Sequence, residues 1–108
     1  MWAIIGGSGF EKFEAFKTVE PLERETPFGL ASSGIKRVKI GNHEALFVSR
    51  HGEHHENLPS EVNYRANIFA LKRAGAEAIV SFSAVGSLRQ EFKPGDCVVP
   101  TSYIDRTK

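Results

Sequence analysis

One short stretch constrains this chain more than any other. Ala78-Ile79-Val80-Ser81-Phe82-Ser83 is nearly continuous in its apolar character and ends in small residues, Ser83-Ala84-Val85-Gly86-Ser87. Such a run lacks the alternation of a half-wet strand, so it reads as a buried parallel strand of an α/β sheet. It directly follows a segment with helical spacing. Val62, Ala66, Phe69, Ala70 and Arg73 share one face, Pro59 and Ser60 read as the start, and Gly75 supplies the stop. Asn63 and Asn67 lie one turn apart, on a different side from Phe69. A second β-prone run, Trp2–Ile5, goes straight into Gly6-Gly7-Ser8-Gly9. A third, Ala45 to Val48, forms a hairpin through Gly41-Asn42 with the run holding Ile35, Val38 and Ile40, and leads into Arg50-His51-Gly52.

The remaining segments fill in the same plan. Thr26-Pro27-Phe28-Gly29 and Lys93-Pro94-Gly95-Asp96 read as turns, and Cys97-Val98-Val99-Pro100 as a last short strand. Phe10, Phe13 and Phe16 recur at threes, which suggests one helical or irregular turn facing the core. The order strand, hairpin, helix, strand, strand indicates an α/β fold.

Composition narrows the function classes. Fourteen Lys and Arg against 13 Asp and Glu give a net charge of +1. Residues 1–49 hold six of each sign, and residues 50–108 hold eight basic and seven acidic. Neither half forms the basic arm of a general nucleic-acid binder, and no aromatic residues interleave with basic ones as a stacking platform would require. The 41% hydrophobic and 25% charged content is that of an ordinary globular domain, not of a disordered segment. A single cysteine, Cys97, excludes an internal disulfide framework and a zinc site of cysteine pairs, and fits a reducing, cytoplasmic compartment. Within its apolar run, Cys97 reads as an inert buried thiol. No apolar run approaches the roughly 20 residues of a membrane helix. The N-terminus, with no positive charge before its apolar stretch, does not read as a secretory signal.

Three polar clusters stand at the ends of the three strands: Gly6-Gly7-Ser8-Gly9, Arg50-His51-Gly52 and Ser83-Ala84-Val85-Gly86. Ligands of open α/β sheets gather at carboxyl strand ends, so the clusters converge if the strands are parallel neighbours. Together they offer backbone N–H groups, two hydroxyls, an imidazole and a permanent cation with a planar donor fork. That set suits a tetrahedral oxyanion such as phosphate. None of the three clusters contains a carboxylate, which fits an anion better than a metal ion. Taken singly, each has a plainer explanation: a tight turn, a surface pair leaving a strand, and small residues (Ser81 and Ser83) beside a helix. His51, Glu53, His54, His55 and Glu56 have metal-ligand chemistry but no His-Glu-x-x-His pattern, and Pro59 works against a helix through them. No Gly-x-Ser-x-Gly elbow, dinucleotide fingerprint or P-loop lysine is present.

In this order the clusters resemble the 5′-methylthioadenosine phosphorylase branch of the trimeric purine nucleoside phosphorylase family. The resemblance is carried by IIGGSGF at 4–10, ETPFG at 25–29, SRHGEHHENLPSEVNYRANIFALKRAGAE at 49–77, SAVGSLRQEFKPGD at 83–96 and YIDRT at 103–107. It implies a three-layer α-β-α fold with a mixed sheet, of which residues 1–108 are the N-terminal part of a single domain. It implies that Ser8, Arg50, His51, Ser83 and Ala84 bind phosphate. Gly86 would lie near the base and His55 near the nucleoside, while Ser at 8 and 83 keeps the hydroxyl of the more usual Thr. Val85 departs mildly from the family's usual Cys or Ala.

The implied reaction is phosphorolysis of a purine nucleoside. Methylthioadenosine is the leading substrate, with methylthioinosine or inosine as the alternative. Inorganic phosphate is the co-substrate, and no other cofactor and no metal is implied. The resemblance further implies a homotrimer or a dimer of trimers. Family members run well over twice this length, and their base-recognising residues lie beyond Lys108. A 108-residue piece would therefore hold the phosphate corner and be inactive alone. A reading from a different class, a non-catalytic phosphate-binding or assembly module, follows if the natural chain stops there.

Overall fold

The computed structural model describes residues 1–7, 17–52, 58 and 61–106, with residues 17–20 described by backbone alone. Its centre is a five-stranded mixed sheet in the order β2-β5-β6-β1-β7. Here β1 is Trp2–Gly6, β2 Lys17–Leu22, β5 Ile35–Ile40, β6 His43–Ser49 and β7 Ala78–Ser81. The short hairpin of β3 (Glu25–Thr26) and β4 (Gly29–Leu30) lies apart from it, and one helix, α1, spans Tyr64–Arg73.

The sheet joins two kinds of pairing. β5 and β6 form the expected antiparallel hairpin, turning at Gly41, whose φ of +60° is the left-handed conformation that glycine takes without strain. β1 runs parallel to β6 on one side, with Ile4 opposite Phe47, and parallel to β7 on the other, with Ile4 opposite Val80. Parallel strands need a long connection, and α1 lies in the one from β6 to β7, which flank β1. The mixed α/β sheet implied by the family resemblance is therefore present.

The period of two along the central strands divides the core. Ala3 and Ile5 of β1 and Leu46 and Val48 of β6 cluster with Ala70 and Leu71 of α1. Ala45, Phe47 and Val38 form a second cluster, against which Ile4 and Ile40 pack.

Several expectations change. The helix begins at Tyr64, not at Pro59 and Ser60, which lie outside the described residues. Its cap is Asn63, whose side-chain oxygen accepts from the Ala66 amide at 3.0 Å. Its end at Gly75 is as expected. Gly75 has φ +109°, and the amides of Gly75 and Ala76 donate to Lys72 and Leu71, a Schellman cap. Arg73, on the face shared with Phe69 and Ala70, is exposed; it donates to the carbonyl of Glu25 at 2.7 Å and lies over the Phe69 ring. Asn67, in contrast, is fully buried.

β2 was not anticipated. Its sequence, KTVEPL, contains Pro21 and its pairing shifts between Thr18 and Glu20, so neither propensity nor alternation marks it. Proline is tolerated there because β2 is an edge strand of the sheet. β7 is parallel as expected, but it too is an edge strand among the described residues, and Ile79 and Ser81 are exposed where burial was expected. Residues 97–100 form no strand and Cys97 is exposed, since no strand among the described residues pairs with that run. Phe10, Phe13 and Phe16 lie outside the described residues. No described helix is long and apolar enough to cross a membrane.

Candidate functional site

The three strands whose ends carry the polar clusters are adjacent in the sheet, in the order β6-β1-β7, and parallel. Their carboxyl ends therefore come out side by side. Two backbone bonds extend the pairing just beyond the strands: the Arg50 amide donates to the Gly6 carbonyl and the Phe82 amide to the Ile5 carbonyl, each at 2.9 Å. The sheet thus holds the residues after β6 and β7 in register with the end of β1.

Arg50 spans the gap. Its Nη1 donates to the Phe82 carbonyl at 3.1 Å and to the Ser83 hydroxyl at 3.2 Å, with the Ser81 hydroxyl at 3.5 Å. Its Nε approaches His51 Nε2 at 3.5 Å. Its Nη2 lies against Gly7. A Cβ at position 7 would stand 2.5 Å from that nitrogen and 3.3 Å from the Phe82 carbonyl. Glycine at position 7 thus leaves the guanidinium room to lie where it does. No carboxylate among the described residues pairs with Arg50. The fork lies at a place where the hydroxyls of Ser81 and Ser83 gather.

Ile5, Arg50, His51, Tyr64, Ser81 and Ser83 line an open cavity of about 420 Å³ at this point. Of the residues singled out from sequence, Arg50, His51 and Ser83 are brought together. Ala84 and Gly86 follow in the exposed stretch after β7 and do not line the cavity. Ser8 and His55 lie outside the described residues, as do Glu53, His54 and Glu56. No described group of His, Cys, Asp and Glu is arranged to hold a metal ion. Tyr64 was missed. Its place follows from the cap at Asn63, which makes Tyr64 the first residue of α1; a helix read from Pro59 hides this. A second depression, of about 430 Å³, lies beside the β3–β4 hairpin. Its one cation, Arg73, is engaged by the carbonyls of Glu23 and Glu25.

The Arg50 guanidinium, paired with no described carboxylate, stands at the carboxyl ends of three adjacent parallel strands, the place where ligands of open α/β sheets gather. The chain belongs to the phosphorylase superfamily, whose family model matches residues 2–108. It is 52% identical over 106 residues to S-methyl-5'-thioadenosine phosphorylase 2 of Puccinia graminis f. sp. tritici, covering 97% of this chain and 37% of that protein. It is 50% identical over 105 residues to the S-methyl-5'-thioadenosine phosphorylase of Thermosynechococcus vestitus, covering 97% and 36%. Its fold matches the methylthioadenosine phosphorylase of Schistosoma mansoni in the apo form with a TM-score of 0.78 at 43% identity, over 88% of this chain and 34% of that one. The chain spans little more than a third of the length of these relatives.

Proposed function

We propose that the whole protein cleaves S-methyl-5′-thioadenosine with inorganic phosphate, giving adenine and S-methyl-5-thioribose 1-phosphate. This chain would be the N-terminal part of a single phosphorylase domain and supply its phosphate corner. The carrying observation is Arg50, its charge unmatched by any described carboxylate, joined to Ser83 across the ends of β6, β1 and β7. The relatives' names supply the nucleoside.

In this reaction a phosphate oxygen forms a bond to the anomeric carbon while the bond from that carbon to the purine nitrogen breaks. The electron pair leaves with the base, which takes up a proton. The sugar carries oxocarbenium character in between, as in glycoside hydrolysis. Arg50 holds the phosphate and offsets its charge, with Ser83 and Ser8 as hydroxyl partners and the backbone beside Gly7 and Ala84 as N–H donors. Fixing the nucleophile at close range lowers the barrier without a protein base, so His51 is assigned a role in binding phosphate and none in proton transfer. His55 and Gly86 are assigned to the nucleoside side. The proposal includes a cytoplasmic homotrimer, or a dimer of trimers, and no cofactor beyond phosphate.

An assay of the whole protein tests this. Adenine release from methylthioadenosine should saturate with phosphate and vanish in its absence. Release that ignores phosphate would overturn the mechanism. Faster turnover of methylthioinosine or inosine would keep the mechanism and reassign the base.

A further inference from the structure

Among the described residues the buried polar side chains are Ser32, Ser33, Ser49 and Asn67, all under 5% exposed. They are not scattered. The Asn67 amide clamps Ser32 from α1: its Oδ1 accepts from the Ser32 amide at 2.8 Å and its Nδ2 donates to the Ser32 hydroxyl at 3.1 Å. The next residue, Ser33, accepts the Ser49 amide on its hydroxyl at 2.9 Å and donates to the Gly34 carbonyl at 3.1 Å. β5 begins only at Ile35, so this hydroxyl replaces the ladder partner that β6 would otherwise lack at its last residue. Ser49 then donates its own hydroxyl to the Gly52 carbonyl at 2.8 Å, and the Gly52 amide returns to the Ser49 carbonyl at 3.2 Å. Gly52, at φ +87°, permits that closure. The two residues inside the closed turn are Arg50 and His51.

We propose that Asn67, Ser33 and Ser49 are positioning residues for Arg50 and His51, acting through this turn and touching no substrate. The inference rests on the reading of Arg50 as the phosphate ligand. Apolar residues could fill the same space, but only directional bonds fix the angle at which β6 releases its turn. The guanidinium must cross from β6 over β1 to Ser83, so a small rotation of the turn moves its tip by an ångström or more. Misplacement of that size costs up to about a hundredfold in rate.

The test uses the whole protein with Ser33→Ala, Ser49→Ala and the hydroxyl-keeping Ser33→Thr. Ser33→Ala and Ser49→Ala should raise the phosphate KM about tenfold and leave the nucleoside KM within about twofold, and Ser33→Thr should recover most of the loss. Thermal stabilisation by inorganic phosphate alone should fall in the same order, independent of turnover. If Ser49→Ala does not fold, Ser33→Ala carries the test, since it removes only the hydroxyl facing Ser49. A lowered Tm with wild-type phosphate KM and wild-type phosphate stabilisation would overturn the inference while leaving Arg50 in its role. A wild-type protein that neither saturates with phosphate nor is stabilised by it would sink the functional reading, and the inference with it.

Discussion

Arg50 and Ser83 meet at 3.2 Å, yet they stand on supports of opposite character. Arg50 leaves β6, a strand paired on both sides and buried over its last five residues, Ala45 to Ser49. Ser83 follows β7, which has a partner on one side only among the described residues and alternates between half-buried and exposed. The contrast divides the labour at the site. The cation, whose misplacement costs most, is fixed by a core strand and a buried network. The hydroxyls, which can rotate to suit an oxyanion, sit on the β7 wall. Groups that need a fixed position belong on rigid elements.

The sharpest way to break this division is at the cation. In the whole protein Arg50→Ala should lower kcat/KM for phosphate by about a hundredfold or more, the cost of removing a charged oxyanion donor. The nucleoside KM should move by less than about threefold, as expected when binding of only one substrate is lost. Arg50→Lys should recover only part of the loss, because an ammonium lacks the planar fork that can hold two oxygens of an oxyanion at once. Equal damage to both substrates would show that Arg50 organises the whole pocket. Next in size is Gly7→Ala, because the new methyl would meet Arg50 Nη2 at 2.5 Å. The obstructed atom is the far end of a flexible side chain, so the protein should keep its Tm within a few degrees while the phosphate KM rises about tenfold. A large drop in Tm would place the clash on the Phe82 backbone instead.

The two walls were also unequally legible in the sequence. β1, the β5–β6 hairpin and the arrival of Arg50, His51 and Ser83 at one end of the sheet follow from short β-prone runs ending in glycine and serine. The buried network did not show, because Ser32, Ser33 and Asn67 look like ordinary loop and helix-surface residues. Their burial depends on contacts 35 residues apart between α1 and the segment before β5. Periodicity placed Asn67 off the face of Phe69 but could not say that the helix reaches Ser32 there. Pro59 and Ser60 look like a helix start, while the cap at Asn63 carries no sequence signal beyond its residue type, and this conceals Tyr64. β2 was illegible because Pro21 and a register shift hide an edge strand. Burial of β7 and of Cys97 was overestimated, since an apolar run reports what a segment could cover and not whether a partner lies beside it.

The smallest predicted effect lies on the β7 wall, between Ser83 and Ser81. Both hydroxyls face Arg50 Nη1, one at 3.2 Å and the other at 3.5 Å, the outer limit of a useful hydrogen bond. Ser83→Ala removes a partner at good distance and should raise the phosphate KM about fivefold, the equivalent of about 1 kcal/mol. Ser81→Ala should change it by less than about twofold, since Phe82 and Ser83 continue to hold the same nitrogen. The two side chains share Nη1 as a partner, so their effects are coupled. If the β7 wall is adaptable, the double variant should lose more than the sum of the two single losses, because Ser81 can compensate for Ser83 only while it is present. Strict additivity would show that the hydroxyls act independently, and that the β7 wall is as rigid as the β6 wall opposite it.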